Sequence, residues 1–308
     1  MSLAGLTRRI EEVIAASGAT AFGAAIKHLE SGEEILIHAE DPFPLCSVFK
    51  IPVLCEAFHQ IEQGRFSLDE RWELTLAEKN LPSGVLVFLQ DGLTPTVRDL
   101  LTLMIIISDN TATDMVMHRL GIDATTRFMH ALGLTDIHVP LTVRDIFHDM
   151  FGEASDPRRA FTDLTALRPE PAVNRTGKSF RLTPDNNVGA PASLNRLLEM
   201  IWRGEVVSRA ACDQILHILL QQTLDQRLPR FLPAGAPIAH KTGTLGGVRN
   251  DSGIIYCSAA SHVAVTTFTT WDLASAHGDR VVEWARMSAI DSAMGHIGRL
   301  VFDHFSNR

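Results

Sequence analysis

The stretch Pro44-Leu45-Cys46-Ser47-Val48-Phe49-Lys50-Ile51-Pro52-Val53-Leu54 decides how the chain is read. Pro44 breaks the segment before it, and a dense apolar run follows to Phe58. A buried helix over residues 48–63, closed by Gly64, is therefore expected. Ser47 then sits at or near the helix N-terminus, with Lys50 one turn later on the same face. A serine hydroxyl is a weak nucleophile until a base accepts its proton. A lysine desolvated by an apolar helix has a lowered pKa and can be that base, and a helix N-terminus favours developing negative charge. Taken alone, Ser-x-x-Lys is explained as well by an N-capping serine and a surface lysine.

Upstream of this stretch, residues 6–17 read as an amphipathic helix with Leu6, Ile10, Val13 and Ile14 on one face and Gly18 as its C-terminal cap. Residues 22–29 and 34–38 read as strands joined at Ser31-Gly32. Downstream the chain turns helical. Thr96-Val-Arg-Asp99 is a capping box opening a helix to about residue 107, and helices over 112–120 and 124–132 end at Gly121 and Gly133. Residues 141–187, rich in Pro, Asp, Arg and Gly, read as loops with room for one short helix, and helical periodicity returns over 193–203 and 209–222. After Pro233-Ala-Gly235 come strand-like segments at 237–242, 253–258 and 262–269, then a long amphipathic helix over 280–305. Strands at both ends and helices between predict an α/β (α+β) fold. An antiparallel sheet of N- and C-terminal strands is flanked by the terminal helices and interrupted by an all-helical domain. The expected domains are 1–43 with 220–308, and 44–219, with the ligand site in a cleft between them.

The 308 residues are 45% hydrophobic and 21% charged, with a formal net charge of -8. That composition suits a globular chain with a sizeable core. Its acidic balance, with no clustered Lys or Arg, argues against nucleic-acid binding. No apolar stretch is long enough for a membrane span. The opening Met1-Ser2-Leu3 runs straight into a charged helix, so a cytoplasmic protein is expected, or a periplasmic or secreted one whose leader has been removed. Cys46, Cys55, Cys212 and Cys257 show neither CxxC spacing nor a paired-His pattern, so free buried thiols and no metal are expected. No cofactor is implied. A monomer is expected, since no coiled-coil pattern appears.

Three further motifs carry chemistry. Ser108-Asp109-Asn110 follows Ile105-Ile106-Ile107 between two helices, so its polar groups are set against the core and need partners. Ser108 is placed to relay a proton and Asn110 to orient Lys50 and a substrate amide. In Lys241-Thr242-Gly243-Thr244, a lysine and two hydroxyls on a strand can face an anion together, while Gly243 permits close backbone approach. Glu170-Pro171-Ala172-Val173-Asn174 places a carboxylate and an amide in one loop, where they can hold and activate a water. Each motif alone has a structural explanation as a turn, an edge strand or a solvated loop.

The four together, in this order and over nearly the whole chain, resemble the class A serine β-lactamases, with their Ser-x-x-Lys, Ser-Asp-Asn and Lys-Thr-Gly set. The resemblance implies a hydrolase opening a small β-lactam through an acyl-enzyme on Ser47. Lys50 would be the acylation base or its relay, and Ser108 and Asn110 the opposite wall. Glu170 and Asn174 would hold the deacylating water, and Lys241, Thr242 and Thr244 the substrate carboxylate. The backbone N–H groups of Ser47 and Thr244 would form the oxyanion hole. It also implies a cis Glu170–Pro171 bond, an isomer that proline makes cheap. Against the family pattern, the interval from Asn110 to Glu170 is long, with the extra residues around 147–167. The strand position usually holding a carboxylate-binding arginine holds Ser252, so Arg230 or Arg249 is the expected substitute. Leu245 stands where a cysteine would pair with Cys46, so no such disulfide is expected. The alternatives are a related serine esterase, amidase or D-amino-acid peptidase, or a penicillin-binding sensor that acylates without turnover.

Overall fold

The computed structural model describes residues 2–152, 174–276 and 278–306. They divide into two compact units, one of residues 1–48 with 189–308 and one of residues 49–188.

The first unit is built on a five-stranded antiparallel sheet of order β2-β1-β7-β6-β5. Its strands are β1 (Ala21–His28), β2 (Glu34–Ile37), β5 (Ile238–Leu245), β6 (Val248–Ser258) and β7 (Ser261–Thr270). The two-residue strands β3 (Phe43–Pro44) and β4 (Val188–Gly189) stand outside it. The N-terminal hairpin joins the C-terminal meander where β1 pairs with β7, with Gly23 opposite Phe268. Alternation along β1 sends Ala24 and Ile26 into a core shared with Leu6 and Ile10 of α1 (Leu3–Ala16) and with Ile290, Ile297 and Val301 of the C-terminal helix (Arg280–Phe305). Each Leu, Ile or Val side chain so removed from water contributes about 1.5–3 kcal/mol. Lys27 points the other way, and its Nζ donates to the buried Glu199 at 2.9 Å. Glu199 lies on a helix of residues Pro191–Arg203, whose apolar residues Leu194, Leu197, Leu198 and Ile201 are buried. Both faces of the sheet are thus covered, which is why β6 and β7 read as nearly continuous buried strands.

The second unit is helical. It holds α2 (Lys50–Glu62), α3 (Val97–Ile106), α4 (Asn110–Leu120), α5 (Ala124–Ala131) and α6 (Val143–Phe151). The helices of the first unit are then α7 (Pro191–Arg203), α8 (Arg209–Leu219) and α9 (Arg280–Phe305). The sequence reading returned the chain to the sheet domain at residue 220. In the structure, residues from Gly189 onward already belong to that unit, because the apolar face of α7 packs on β1, β6 and β7.

Thr96 caps α3 through the reciprocal bonds of a capping box with Asp99, as the sequence indicated. The same tetrapeptide recurs as Thr142-Val-Arg-Asp145, and it opens α6 by the same reciprocal bonds. This helix falls inside a segment that composition alone marked as mainly loop.

Candidate active site

Ser47 lies in a 3-10 turn, Cys46–Phe49, that runs directly into α2 at Lys50. Residues three apart eclipse one another in such a turn, so Ser47 and Lys50 follow on one face. Ser47 is half-buried, while its neighbours Cys46 and Val48 are buried. Cys46 has φ 47°, a left-handed conformation uncommon outside glycine, so the residue before the serine is held in a strained backbone.

Tertiary bonds within the sheet unit hold that backbone. Asn250 Nδ2 on β6 donates to the carbonyl oxygens of Pro44 at 2.7 Å and Leu45 at 3.3 Å. Gly243 on β5 lies against the same segment. A Cβ on it would stand 2.7 Å from the Leu45 carbonyl oxygen and 3.1 Å from Val48 Cγ2. The serine loop therefore rests on β5 at the one position of Lys-Thr-Gly-Thr that has no side chain.

In the helical unit, Lys50 is completely buried. Its Nζ lies 2.8 Å from the Ser108 carbonyl oxygen, 3.0 Å from Ser108 Oγ and 3.0 Å from Asn110 Oδ1. Two of these partners can only accept, whereas the hydroxyl can accept or donate. An ammonium donates to all three. A neutral amine donates to the two carbonyl-type oxygens and accepts from Ser108 Oγ–H. The cage thus satisfies both protonation states. Burial pulls the Lys50 pKa from the ordinary 10.5 down to about 7, against the opposing charges of Asp109 and Asp114.

Ser108 has φ 57°, again left-handed, in the turn between α3 and α4. Its carbonyl accepts from Ser83 Oγ at 2.7 Å as well as from Lys50. Asp109 caps α4 through Ala112 N–H and accepts the N–H groups of Val85 and Leu86, at 2.6 and 2.9 Å, with its other oxygen. Asn110 N–H donates to Ser83 O and Asn110 Nδ2 to Leu81 O, both at 3.0 Å. Ser-Asp-Asn is therefore locked to the loop around residues 81–86, with the Asn110 carbonyl turned to Lys50.

On β5, Lys241 is fully buried and donates to its neighbour Thr242 O at 2.7 Å, while Thr242 is buried and Thr244 exposed. β5 is the terminal strand of the sheet, and no strand among the described residues covers its outer edge. The side chains at Thr244 Oγ1 are two guanidiniums, Arg227 Nη2 at 2.6 Å and Arg249 Nη1 at 3.3 Å. Arg227 also holds Gly243 O and Asn250 O, at 2.8 and 2.6 Å. Both arginines share one carboxylate, Asp291, at 3.1 and 3.6 Å. Burial and the charge of Arg227 lower the pKa of Arg249, so positive potential concentrates beside Thr244. Arg230 instead lays its guanidinium 5.5 Å over the Phe231 ring. Beneath Lys241, His240 and Asp251 form a buried pair at 2.9 Å. Burial alone would push the Asp251 carboxyl up, but His240, Arg227 and the Leu228 N–H hold it below the usual carboxylate range.

Glu170 and the Glu170–Pro171 bond lie outside the described residues. Asn174 is exposed. Its Nδ2 donates to Asp149 O at 3.2 Å, and its Oδ1 accepts from Thr176 Oγ1 at 2.9 Å.

A profile described as "Beta-lactamase enzyme family" matches residues 5–305. The chain belongs to the β-lactamase enzyme family. Among relatives, it is 25% identical over 276 residues to β-lactamase VEB-1 of Pseudomonas aeruginosa, covering 85% of this chain and 81% of that one. Among solved structures, a β-lactamase from Sphaerobacter thermophilus superposes with a TM-score of 0.76 at 26% identity, covering 99% of this chain and 98% of that one. An ancestral class A β-lactamase superposes with a TM-score of 0.75 at 24% identity, covering 97% of this chain and 100% of that one.

Arg227 and Asn250 escaped the sequence reading because neither belongs to a short motif and both reach their targets from other segments. Asn250 was legible only as one polar residue on a strand, and Arg227 as one residue before a Leu-Pro turn. Among the described residues no disulfide forms, and all four cysteines are buried. Among the described residues no helix is long and apolar enough to cross a membrane, and no cluster of three metal-ligating side chains occurs.

Proposed function

We propose that this family member is a class A-type serine β-lactamase acting through an acyl-enzyme on Ser47. The observation that carries the reading is the buried Lys50 amine, one turn after Ser47 and 3.0 Å from the Ser108 hydroxyl. Near neutral pH a sizeable share of Lys50 is unprotonated. It takes the Ser47 Oγ proton as the oxygen attacks the lactam carbonyl. The backbone N–H groups of Ser47 and Thr244 receive the oxyanion. The proton passes from Lys50 through Ser108 to the departing lactam nitrogen, and the C–N bond breaks to leave the ester. Lys241, Thr242 and Thr244 bind the substrate carboxylate. Arg227 and Arg249 supply the positive field there, a part the sequence reading gave to Arg230 or Arg249. Asn110 orients Lys50 and the substrate amide.

Deacylation is assigned to a water activated by Glu170, with Asn174 as its second partner. This step rests on the sequence motif. In a nitrocefin assay, Ser47→Ala loses turnover, and Glu170→Ala accumulates an intact-mass adduct equal to the acylating drug. Absence of turnover of any β-lactam by the unmodified protein refutes the proposal. A wild-type protein that forms the adduct but does not release it assigns the chain to penicillin binding instead.

A further inference from the structure

Asn250 stands in β6 opposite Gly243 of β5 and is completely buried. Its amide oxygen accepts from the Thr269 N–H on β7 at 3.0 Å. Only the oxygen can take that N–H, so the bond fixes which way the amide faces. Nδ2 is thereby turned to the segment before Ser47, where Pro44 O lies at 2.7 Å and Leu45 O at 3.3 Å. Leu45 O also accepts from the Val48 N–H at 3.1 Å, closing the turn that carries Ser47. The main-chain carbonyl of Asn250 takes Arg227 Nη1 at 2.6 Å, and Nη2 of the same guanidinium reaches Thr244 Oγ1 at 2.6 Å. One residue therefore meets the serine loop with its side chain and Arg227 with its main chain.

The two contacts bear on two different charges. Under the acyl-enzyme reading, on which this inference rests, the N–H groups of Ser47 and Thr244 receive the oxyanion. Arg227 and the Thr244 hydroxyl serve the substrate carboxylate instead. Oxyanion donors are effective only when fixed before the charge develops. The Ser47 N–H belongs to the peptide that follows Cys46, and Leu45 O to the peptide that precedes it. Between them Cys46 keeps a φ of 47°, which a residue other than glycine holds only when its surroundings impose it. We infer that Asn250 is a positioning residue for acylation, its amide setting the Ser47 N–H against the Thr244 N–H while its carbonyl separately seats Arg227. A side-chain substitution removes the amide and leaves the carbonyl. It therefore disturbs the oxyanion donors and spares the carboxylate contacts.

Single-turnover ring opening of nitrocefin, with the whole protein in excess and its concentration varied, separates the two. It yields a limiting acylation rate and the dissociation constant of the complex that precedes it. Asn250→Asp keeps the shape and the acceptor for Thr269 but loses the donor, and Asn250→Ser withdraws the donor without adding charge. Each slows acylation at least about tenfold, since displacements near 1 Å cost up to about 100-fold, and leaves the dissociation constant within about twofold of wild type. Glycine takes a positive φ without steric cost, so Cys46→Gly added to either variant restores part of the lost rate. A merely structural role lowers the amount of folded protein, read by near-ultraviolet circular dichroism, and moves neither constant of the folded fraction. The inference is overturned by wild-type acylation in either folded variant, by a dissociation constant that worsens in step with the rate, or by no recovery with Cys46→Gly. Failure of the acyl-enzyme reading shows separately, as wild-type protein that opens no lactam ring and carries no adduct, and this inference falls with it.

Discussion

Replacing Lys50 by Met separates the two consequences of burying an amine. Folding carries Lys50 from an ordinary pKa of 10.5 to about 7. The unfolded chain therefore binds a proton that the folded chain has released across that interval, and wild-type stability rises with pH between about 7 and 10.5. The sign follows from a folded pKa below the unfolded one. The group opposes folding most fully below pH 7, and the penalty fades as pH climbs to 10.5. At pH 6 it comes to roughly 5 kcal/mol, and at pH 9 to about 2 kcal/mol, at 1.36 kcal/mol per pKa unit. Methionine carries no such charge. It does leave Asn110 Oδ1 without its donor, at about 1–3 kcal/mol, while the Ser108 carbonyl keeps the Ser83 hydroxyl. That cost is the same at both pH values and cancels in the comparison. The stability of Lys50→Met relative to wild type should therefore fall by about 3 kcal/mol between pH 6 and pH 9. Urea unfolding of both proteins at the two pH values measures it. The same amine should set a rising limb in the rate of Ser47 acylation with a midpoint near pH 7, read by stopped-flow with a chromogenic β-lactam. A relative stability that does not change between pH 6 and 9 would show that Lys50 keeps its ordinary pKa, and the proposed base would be lost with it.

Other outcomes follow from single contacts. Gly243→Ala puts a Cβ 2.7 Å from Leu45 O, so the serine loop or β5 must shift. Acylation should fall at least about tenfold, as displacements near 1 Å cost up to about 100-fold, with a circular dichroism spectrum like wild type. Thr142→Ala and Thr96→Ala each remove a capping box, and each should cost about 1 kcal/mol in thermal melts. A clear loss at Thr96 alone would contradict the cap at α6. Asp251 has its pKa lowered in the fold, so its carboxylate stabilises the protein above its unfolded value of 3.8 and loses that contribution as pH falls through the folded value. The stability gap between wild type and Asp251→Asn should accordingly narrow in acid below pH 3.8, which denaturant titration at pH 7 and pH 3 would show.

Much of the fold was open to a reader of the chain. The period-two segments at 22–29 and 262–269 became β1 and β7, paired at the centre of the sheet, and the Thr96–Asp99 box opened α3. The repeat of that box at Thr142 was equally visible, yet the Pro, Asp and Gly around it concealed α6. The domain boundary expected at residue 220 differs from the division at residue 189, since helical periodicity says that α7 and α8 are helices but not which layer they cover. That depends on the packing of α7 on β1, β6 and β7. Among the candidate residues, Ser47, Lys50, Ser108, Asn110 and Lys241 were named from short motifs, whereas Arg227 and Asn250 were not, since each acts on a backbone far from it in sequence.

The order of residues by itself settled whatever a single turn of backbone can encode, namely a hydroxyl three residues before an amine, caps at helix starts and the alternation of a strand. The character of Lys50 was decided only in three dimensions. An amine loses its water to atoms drawn from many segments, and its pKa near 7 is the sum of that desolvation and of carboxylates on other elements. The same holds for the left-handed backbone at Cys46 and Ser108, which short-range preference disfavours and which bonds from Asn250, Ser83 and Lys50 to the adjoining carbonyls help to hold.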